Sequence, residues 1–138
     1  MRVVDASVVI KWLIREPDHQ RAIEILRAYV GRITMLIAPR VLADEVAGAI
    51  AKQYRRKSLT AEQAIHAFDL FETYRPDLLD PPGLTRQAFD LSLQHRISAW
   101  DCLYLALATR YRCDLVTADE RFQRAVKPHY PFVVLLGA

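Results

Sequence analysis

The sequence predicts an α/β fold: a three-layer α/β/α sandwich around a central, mostly parallel sheet of about five short strands, with residues 1–138 forming one domain. Three observations carry that expectation. Short, continuously apolar runs recur along the chain, the signature of strands buried on both faces. Segments of helical length separate them, some amphipathic and one apolar nearly all round. No linker, repeat or low-complexity stretch breaks the alternation, and a chain of 138 residues can bury about two-thirds of its unfolded surface without staples.

The elements follow in order. "RVVD" is a β-branched run closed by Asp5, and "SVVIKWLI" continues as a helix opening near Ser7. Pro17 suits the first turn of a second helix, "DHQRAIEILRAYV", with Ala22, Ile23, Leu26 and Val30 on one face and Gly31 ending it. "TMLIA" reads as the second buried strand, and Pro39 starts a helix running to about Tyr54. After the basic turn "RRKS", Thr60 caps the amphipathic helix of "TAEQAIHAFDLFETY". "DLLD" is a short strand closed by Pro81, Pro82 and Gly83. "LTRQAFDLSLQHR" is another helix, and "SAWDCLYLALATRYR" a strongly apolar one capped by Ser98. "DLVT" and "FVVLL" are the last strands, with the short helix "ERFQRAV" between them.

Composition narrows the function classes. Hydrophobic residues make up 52% and charged ones 25%, as in a globular rather than a disordered chain. No apolar run reaches the roughly 18 residues that span a bilayer. Asp5 and Lys11 interrupt the apolar N-terminal stretch and no small-residue cleavage site follows, so the expectation is a cytoplasmic protein with no membrane segment. Cys102 and Cys113 sit in apolar surroundings and read as small core residues, not as a disulfide framework or zinc site. His19, His66, His95 and His129 match no metal spacing. The net charge of +3 leans weakly toward a polyanionic partner and decides nothing alone.

Four acids stand out by position. Asp5 closes the first strand, and Asp119 follows the strand "LVT" in "LVTADERF". Glu45 lies on the third helix beside the apolar positions Leu42, Val46 and Ala49, where an unpaired charge is costly. Asp101 is the only charged residue between Ile97 and Thr109. Each has a structural alternative: a helix-initiating acid for Asp5, an arginine pair for Glu45, a capping box with Ser98 for Asp101, and a Thr117–Glu120 capping box beside Asp119. Ligands in open parallel sheets bind outside the carboxyl ends of the strands. Asp5 and Asp119 both follow strands, and Asp101 and Glu45 lie early in helices, so all four could converge there. Carboxylates gathered in one cleft repel and require a cation. A ligand set of oxygen alone, without His or Cys, selects a hard ion, Mg²⁺ or Mn²⁺. Such ions bind phosphate oxygens, activate water and neutralise the leaving oxygen in phosphodiester cleavage.

"VVDASVVI", the helix acid of "PRVLADEVAGAI", "SAWDCLYLALA" and "LVTADERF", in this order, together resemble a PIN-domain ribonuclease, more narrowly the VapC-type toxins of toxin–antitoxin pairs. The resemblance implies a PIN-like nuclease domain over residues 1–138, with Asp5, Glu45, Asp101 and Asp119 as catalytic, metal-binding acids around one or two Mg²⁺ or Mn²⁺ ions. It implies hydroxyl support from Ser7 and Thr117. Ser7 is also a good helix N-cap, Thr117 a good strand residue, and Ala6 stands where members often carry threonine. Asp44 and Asp114 are expected outside the metal-binding set.

The function expected is a metal-dependent endoribonuclease that hydrolyses RNA phosphodiester bonds, the toxin of a toxin–antitoxin pair. Its partners are then an RNA substrate, a cognate antitoxin and a second copy in a homodimer. Phosphate contacts fall to the basic residues around the cleft: Lys11, Arg40, Lys52, Arg55, Arg56, Lys57, Arg121 and Arg124. The alternative is a non-catalytic PIN-like RNA-binding or scaffold protein, which the presence of all four acids argues against. A receiver-like domain wants an adjacent acid pair after the first strand and a late lysine, but Ala6 follows Asp5 and no lysine follows Lys127. A dehalogenase-like phosphatase wants D-x-D, and position 7 is Ser7.

Overall fold

The computed structural model describes residues 1–137. Five strands are present: β1 (Arg2–Val4), β2 (Leu36–Pro39), β3 (Asp77–Leu79), β4 (Asp114–Thr117) and β5 (Val133–Leu135). Between them run α1 (Ala6–Leu13), α2 (His19–Val30), α3 (Val41–Arg55), α4 (Ala61–Tyr74), α5 (Leu84–His95), α6 (Ala99–Tyr111) and α7 (Glu120–Val126). All strand pairs are parallel, in the order β3-β2-β1-β4-β5. The expected α/β architecture is therefore present, with a wholly parallel sheet.

The apolar runs make the strands because parallel strands covered on both faces need apolar side chains on both. Val3, Val4, Leu36, Ile37, Leu115 and Val116 are at most 1% exposed. Helix α6 lies against β1, β2 and β4 with α5 outside it, while α1 packs against β4 and gathers α2, α3 and α4. Sandwiched in this way, α6 buries Cys102 and the whole run Tyr104–Ala108, which explains its apolar sequence.

Strand order places the candidate site. The chain winds outward from β1 through β2 to β3, then crosses to β4 on the other side of β1. The carboxyl ends of β1 and β4 are thus the switch point of the sheet, where the connections diverge and leave a crevice. Asp5 and Asp119 stand just beyond those two strands.

Some local expectations are corrected. Pro39 does not start a helix; it ends β2, paired with Leu79, and α3 begins at Val41 after Arg40. A proline at the end of a strand still presents its carbonyl, and its missing N–H is not missed where the ladder stops. Pro17 lies ahead of α2, separated from it by Asp18 in the left-handed conformation at φ 65°. The second strand starts at Leu36, not Thr34. Ser7 is inside α1 and does not cap it; the N-cap is Asp5. The capping box of α4 is as expected: Gln63 N–H donates to Thr60 Oγ1 at 3.1 Å, and Thr60 N–H to Gln63 Oε1 at 2.9 Å.

Candidate active site

Because Val4 and Val116 are in register, the chain leaves β1 and β4 side by side. The turn after β1 is fixed by Asp5, which is 8% exposed. Its Oδ1 accepts the Ser7 hydroxyl at 2.5 Å and the Val8 N–H at 3.3 Å, capping α1. Ser7 Oγ in turn accepts the Ala118 N–H at 2.8 Å and lies 3.4 Å from Thr117 Oγ1. Thr117, fully buried, accepts the Asp119 N–H at 3.1 Å. The two hydroxyls thereby tie the end of β4 to the start of α1 and hold Asp5 and Asp119 in one frame.

The capping alternatives sort themselves differently than the sequence suggests. Asp119 itself caps α7, its Oδ1 accepting the Phe122 N–H at 3.0 Å. Thr117 belongs to β4, so no Thr117–Glu120 box forms; Glu120 pairs with Arg124 at 3.7 Å on the surface. The Ser98 hydroxyl accepts from the Trp100 N–H at 3.2 Å and caps α6 without Asp101. Among the described residues, no salt bridge reaches Asp5, Glu45, Asp101 or Asp119, which removes the expected alternative of an arginine partner for Glu45.

Asp101 is the electrostatic centre of the group. Burial pushes the Asp5 carboxyl up to about 6, against the pull of hydrogen bonds from Ser7, Thr117 and Val8, and the Asp101 charge adds to the rise. Burial and then the Asp101 charge raise Glu45, with the Tyr104 hydroxyl opposing them. Asp101 is raised by burial and by the charge of Asp119. Tyr104, buried on the inner side of α6, donates to Glu45 Oε1 at 2.6 Å, and its own ionisation is suppressed by burial and by the neighbouring carboxylates.

Two cavities meet at Asp101. One, of about 430 Å³, is lined by Val41, Asp44, Glu45, Ser98, Trp100 and Asp101. The other, of about 320 Å³, is lined by Asp101, Asp119, Arg96, Arg121 and Phe122 among others. Asp44, expected outside the metal-binding set, borders the first. Among the described residues no three acid, histidine or cysteine side chains stand close enough to make a ready-formed metal cage. Glu45, Asp101 and Asp119 instead line the two cavities that meet at Asp101, with Asp5 buried at the end of β1. The donor set fits a hard divalent cation: every candidate donor is a carboxylate oxygen, and among the described residues no cation pairs with the buried Asp5. Both thiols are held protonated by burial, Cys102 up to about 11, as core residues rather than nucleophiles.

The basic candidates separate into groups. Lys11, Lys52 and Arg56 line a third cavity of about 340 Å³ with Ser7 and Ala118, beside the Asp5 frame. Lys11 is partly engaged there, donating to Glu16 at 3.3 Å and to the Pro17 carbonyl at 2.9 Å. Arg121 borders the Asp101–Asp119 cavity, Arg124 pairs with Glu120, Arg55 and Lys57 are exposed at the end of α3, and Arg40 precedes it. Sequence reasoning missed Tyr104, Trp100 and Arg96. Only an arginine just before a cap and an aromatic beside Asp101 could have hinted at the last two.

Comparison with known proteins agrees with this geometry. The PIN domain family model matches residues 2–128. Ribonuclease VapC9 of Mycobacterium tuberculosis strain H37Rv is 26% identical over 135 residues, 98% of this chain and 98% of that protein. Among solved structures, PAE2754 from Pyrobaculum aerophilum has a TM-score of 0.70 at 18% identity, covering 98% of this chain and 90% of that one. VapC20 of Mycobacterium tuberculosis, described as a sarcin–ricin loop cleaving toxin, has a TM-score of 0.65 at 16% identity, covering 91% and 95%. At such identities the structures speak for the fold, and the family model for the descent. The chain belongs to the PIN domain family.

Proposed function

We propose that this protein is a divalent-metal-dependent endoribonuclease and the toxin of a toxin–antitoxin pair, with residues 1–138 as one nuclease domain. The observation that carries this reading is the acidic cluster at the switch point of the sheet: Asp5 and Glu45 raised by burial and by the Asp101 charge, Asp101 raised by burial and by the Asp119 charge, and no cation paired to any of the four among the described residues. Similarity to VapC ribonucleases supports the same reaction class.

Asp5, Glu45, Asp101 and Asp119 would hold one or two Mg²⁺ or Mn²⁺ ions. Such an ion supplies charge to the scissile phosphate and makes water a competent nucleophile near neutral pH. The chain's own groups do the rest. Ser7 and Thr117 orient Asp5, Tyr104 orients Glu45, and the strand ends hold Asp119 opposite Asp101. Lys11, Lys52 and Arg56 grip the phosphates of an RNA lying beside the acidic cluster, with Arg40, Arg55, Lys57, Arg121 and Arg124 extending the positive surface. A cognate antitoxin silences the toxin, and its apolar segment fits the groove between α3 and α4 of about 460 Å³, walled by Ile50, Tyr54, Ile65 and Phe68. The active species is a homodimer in the cytoplasm; among the described residues no helix is long and apolar enough to cross a membrane.

Incubating the purified protein with single-stranded RNA tests the reaction. Cleavage is expected with MgCl₂ or MnCl₂ and none with excess EDTA. Undiminished cleavage in EDTA would remove the metal from the mechanism.

A further inference from the structure

We propose that the trough around Asp101 is a nucleotide subsite in which one unpaired base of a single-stranded RNA stacks on the Trp100 indole while Arg96 and Arg121 hold an adjacent phosphate. The inference rests on the ribonuclease reading and deepens it, because it says how the substrate is seated.

Trp100 is 62% exposed, whereas the other tryptophan, Trp12, is 5% exposed. Exposure alone says little, because Ile33, Ile65 and Leu93 are at least as exposed. The position of Trp100 says more. Trp100 precedes Asp101 in the first turn of α6, held by its own N–H on the Ser98 hydroxyl. With Val41 it forms the apolar part of a cavity whose remaining lining is Asp44, Glu45, Ser98 and Asp101. A flat apolar slot edged by carboxylates suits a base, which offers a π-face to the indole and polar edges to the rim.

The neighbouring cavity shares Ser98 and Asp101 with the first, so the two form one trough. Its lining also includes Arg96 and Arg121, both exposed. Arg96 sits at the C-cap of α5 with φ 55°, the left-handed backbone that ends many helices. The Ser92 hydroxyl donates to the Ile97 carbonyl at 2.6 Å and pins the turn. The backbone that carries Arg96 is thus held beside Ser98 and Asp101, and its side chain lines the same cavity as Asp101. Aromatic stacking on one side and guanidinium on the other is the division of labour by which proteins hold single strands, base by π-face and backbone by charge.

The test reads the indole directly, without turnover. In a Trp12→Phe protein, Trp100 is the sole tryptophan; the change also removes a buried N–H that has no partner among the described residues. A dye-labelled oligouridylate and an abasic ribose-phosphate chain of equal length are titrated in EDTA at low salt, with binding followed by anisotropy. The expected result is quenching of Trp100 emission by saturating oligouridylate and much weaker quenching by the abasic chain at equal saturation. Trp100→Ala should weaken oligouridylate binding roughly 5- to 150-fold, with Trp100→Phe retaining most of the affinity. Arg96→Ala and Arg121→Ala should each make the salt dependence shallower by about 0.7 in log–log slope. Should Trp12→Phe fail to fold, iodide quenching of the wild type reads the same indole, because Trp12 is buried. Oligouridylate that binds by anisotropy yet leaves Trp100 emission and the Trp100→Ala affinity unchanged overturns the subsite while the ribonuclease reading stands, and leaves the indole to a protein partner. Absence of binding to either chain also overturns the subsite, while the ribonuclease reading is decided separately by cleavage in MgCl₂.

Discussion

The Tyr104 hydroxyl donates to Glu45 Oε1 at 2.6 Å, joining residues 59 positions apart on α6 and α3. The bond aims a carboxylate that the Asp101 charge in the trough repels. Hydrogen bonding to the charged form is what holds the Glu45 carboxyl back from rising further.

Tyr104→Phe removes that donor and leaves the packing. Stability at neutral pH is expected to fall by about 1–2 kcal/mol, the range for a bond to a charged group in a half-exposed setting. RNA cleavage should fall several-fold, and the acid limb of its pH profile should move to higher pH because Glu45 then protonates more readily. A profile that keeps its acid limb would make Tyr104 a packing residue only.

Asp5→Asn separates a helix cap from a site acid. Asparagine caps α1 as well as aspartate does. The folded-state carboxyl lies at about 6 against 3.8 in a free chain, so the folded protein binds the proton more tightly than the unfolded one. Its contribution is fully present below about pH 4 and is lost as the pH rises through about 6, up to about 3 kcal/mol. Chemical denaturation in EDTA should show wild type losing more stability over that window than the Asn variant, leaving the variant the more stable at pH 7. Parallel curves for the two proteins would mean that Asp5 is an ordinary cap.

How much of this could be read from the sequence depends on the range of the interactions. Strand ends and the helix of Asp101 were legible because apolar periodicity is local, and the PIN resemblance followed from motifs at those ends. Caps were misjudged by two residues in both critical turns. Ser7 is a good cap by type, yet its hydroxyl serves the partner turn, accepting from Ala118 N–H 111 positions away, while Thr117 ends β4 and accepts the Asp119 N–H. Nothing local announces such a pairing. Tyr104 was invisible for the same reason, an aromatic inside an apolar helix reading as core. Trp100 lay beside the acid that drew attention and was passed over, because exposure of an aromatic on a buried-looking helix is a property of the assembled fold.

Ser7→Ala should cost about 1–2 kcal/mol, since the Ala118 N–H loses its acceptor and Asp5 its closest donor. Cleavage should drop and the Asp5 carboxyl should rise further. Ser7→Thr, which restores the hydroxyl, should recover most of both if its methyl is accommodated. Equal behaviour of the Ala and Thr variants would argue against the hydroxyl network.

Lys52→Ala with Arg56→Ala empties most of the positive charge from the cavity beside Ser7. RNA affinity should weaken and its salt dependence flatten by about 1.4 in log–log slope for two lost phosphate contacts on a single strand. An unchanged slope would route the RNA away from α3.

The most direct measurement is the thermal melt of wild type and Asp101→Asn, each in EDTA and in MnCl₂. If Asp5, Glu45, Asp101 and Asp119 hold a divalent ion together, Mn²⁺ stabilises the wild type, by about 2.7 kcal/mol at 100 times its dissociation constant. Asp101→Asn, having lost the carboxylate the other three share, should start as stable or more stable in EDTA and gain little from the metal. A wild type whose melting point ignores millimolar Mn²⁺ would contradict the site, leaving four acids at one sheet edge with no ion to bind them.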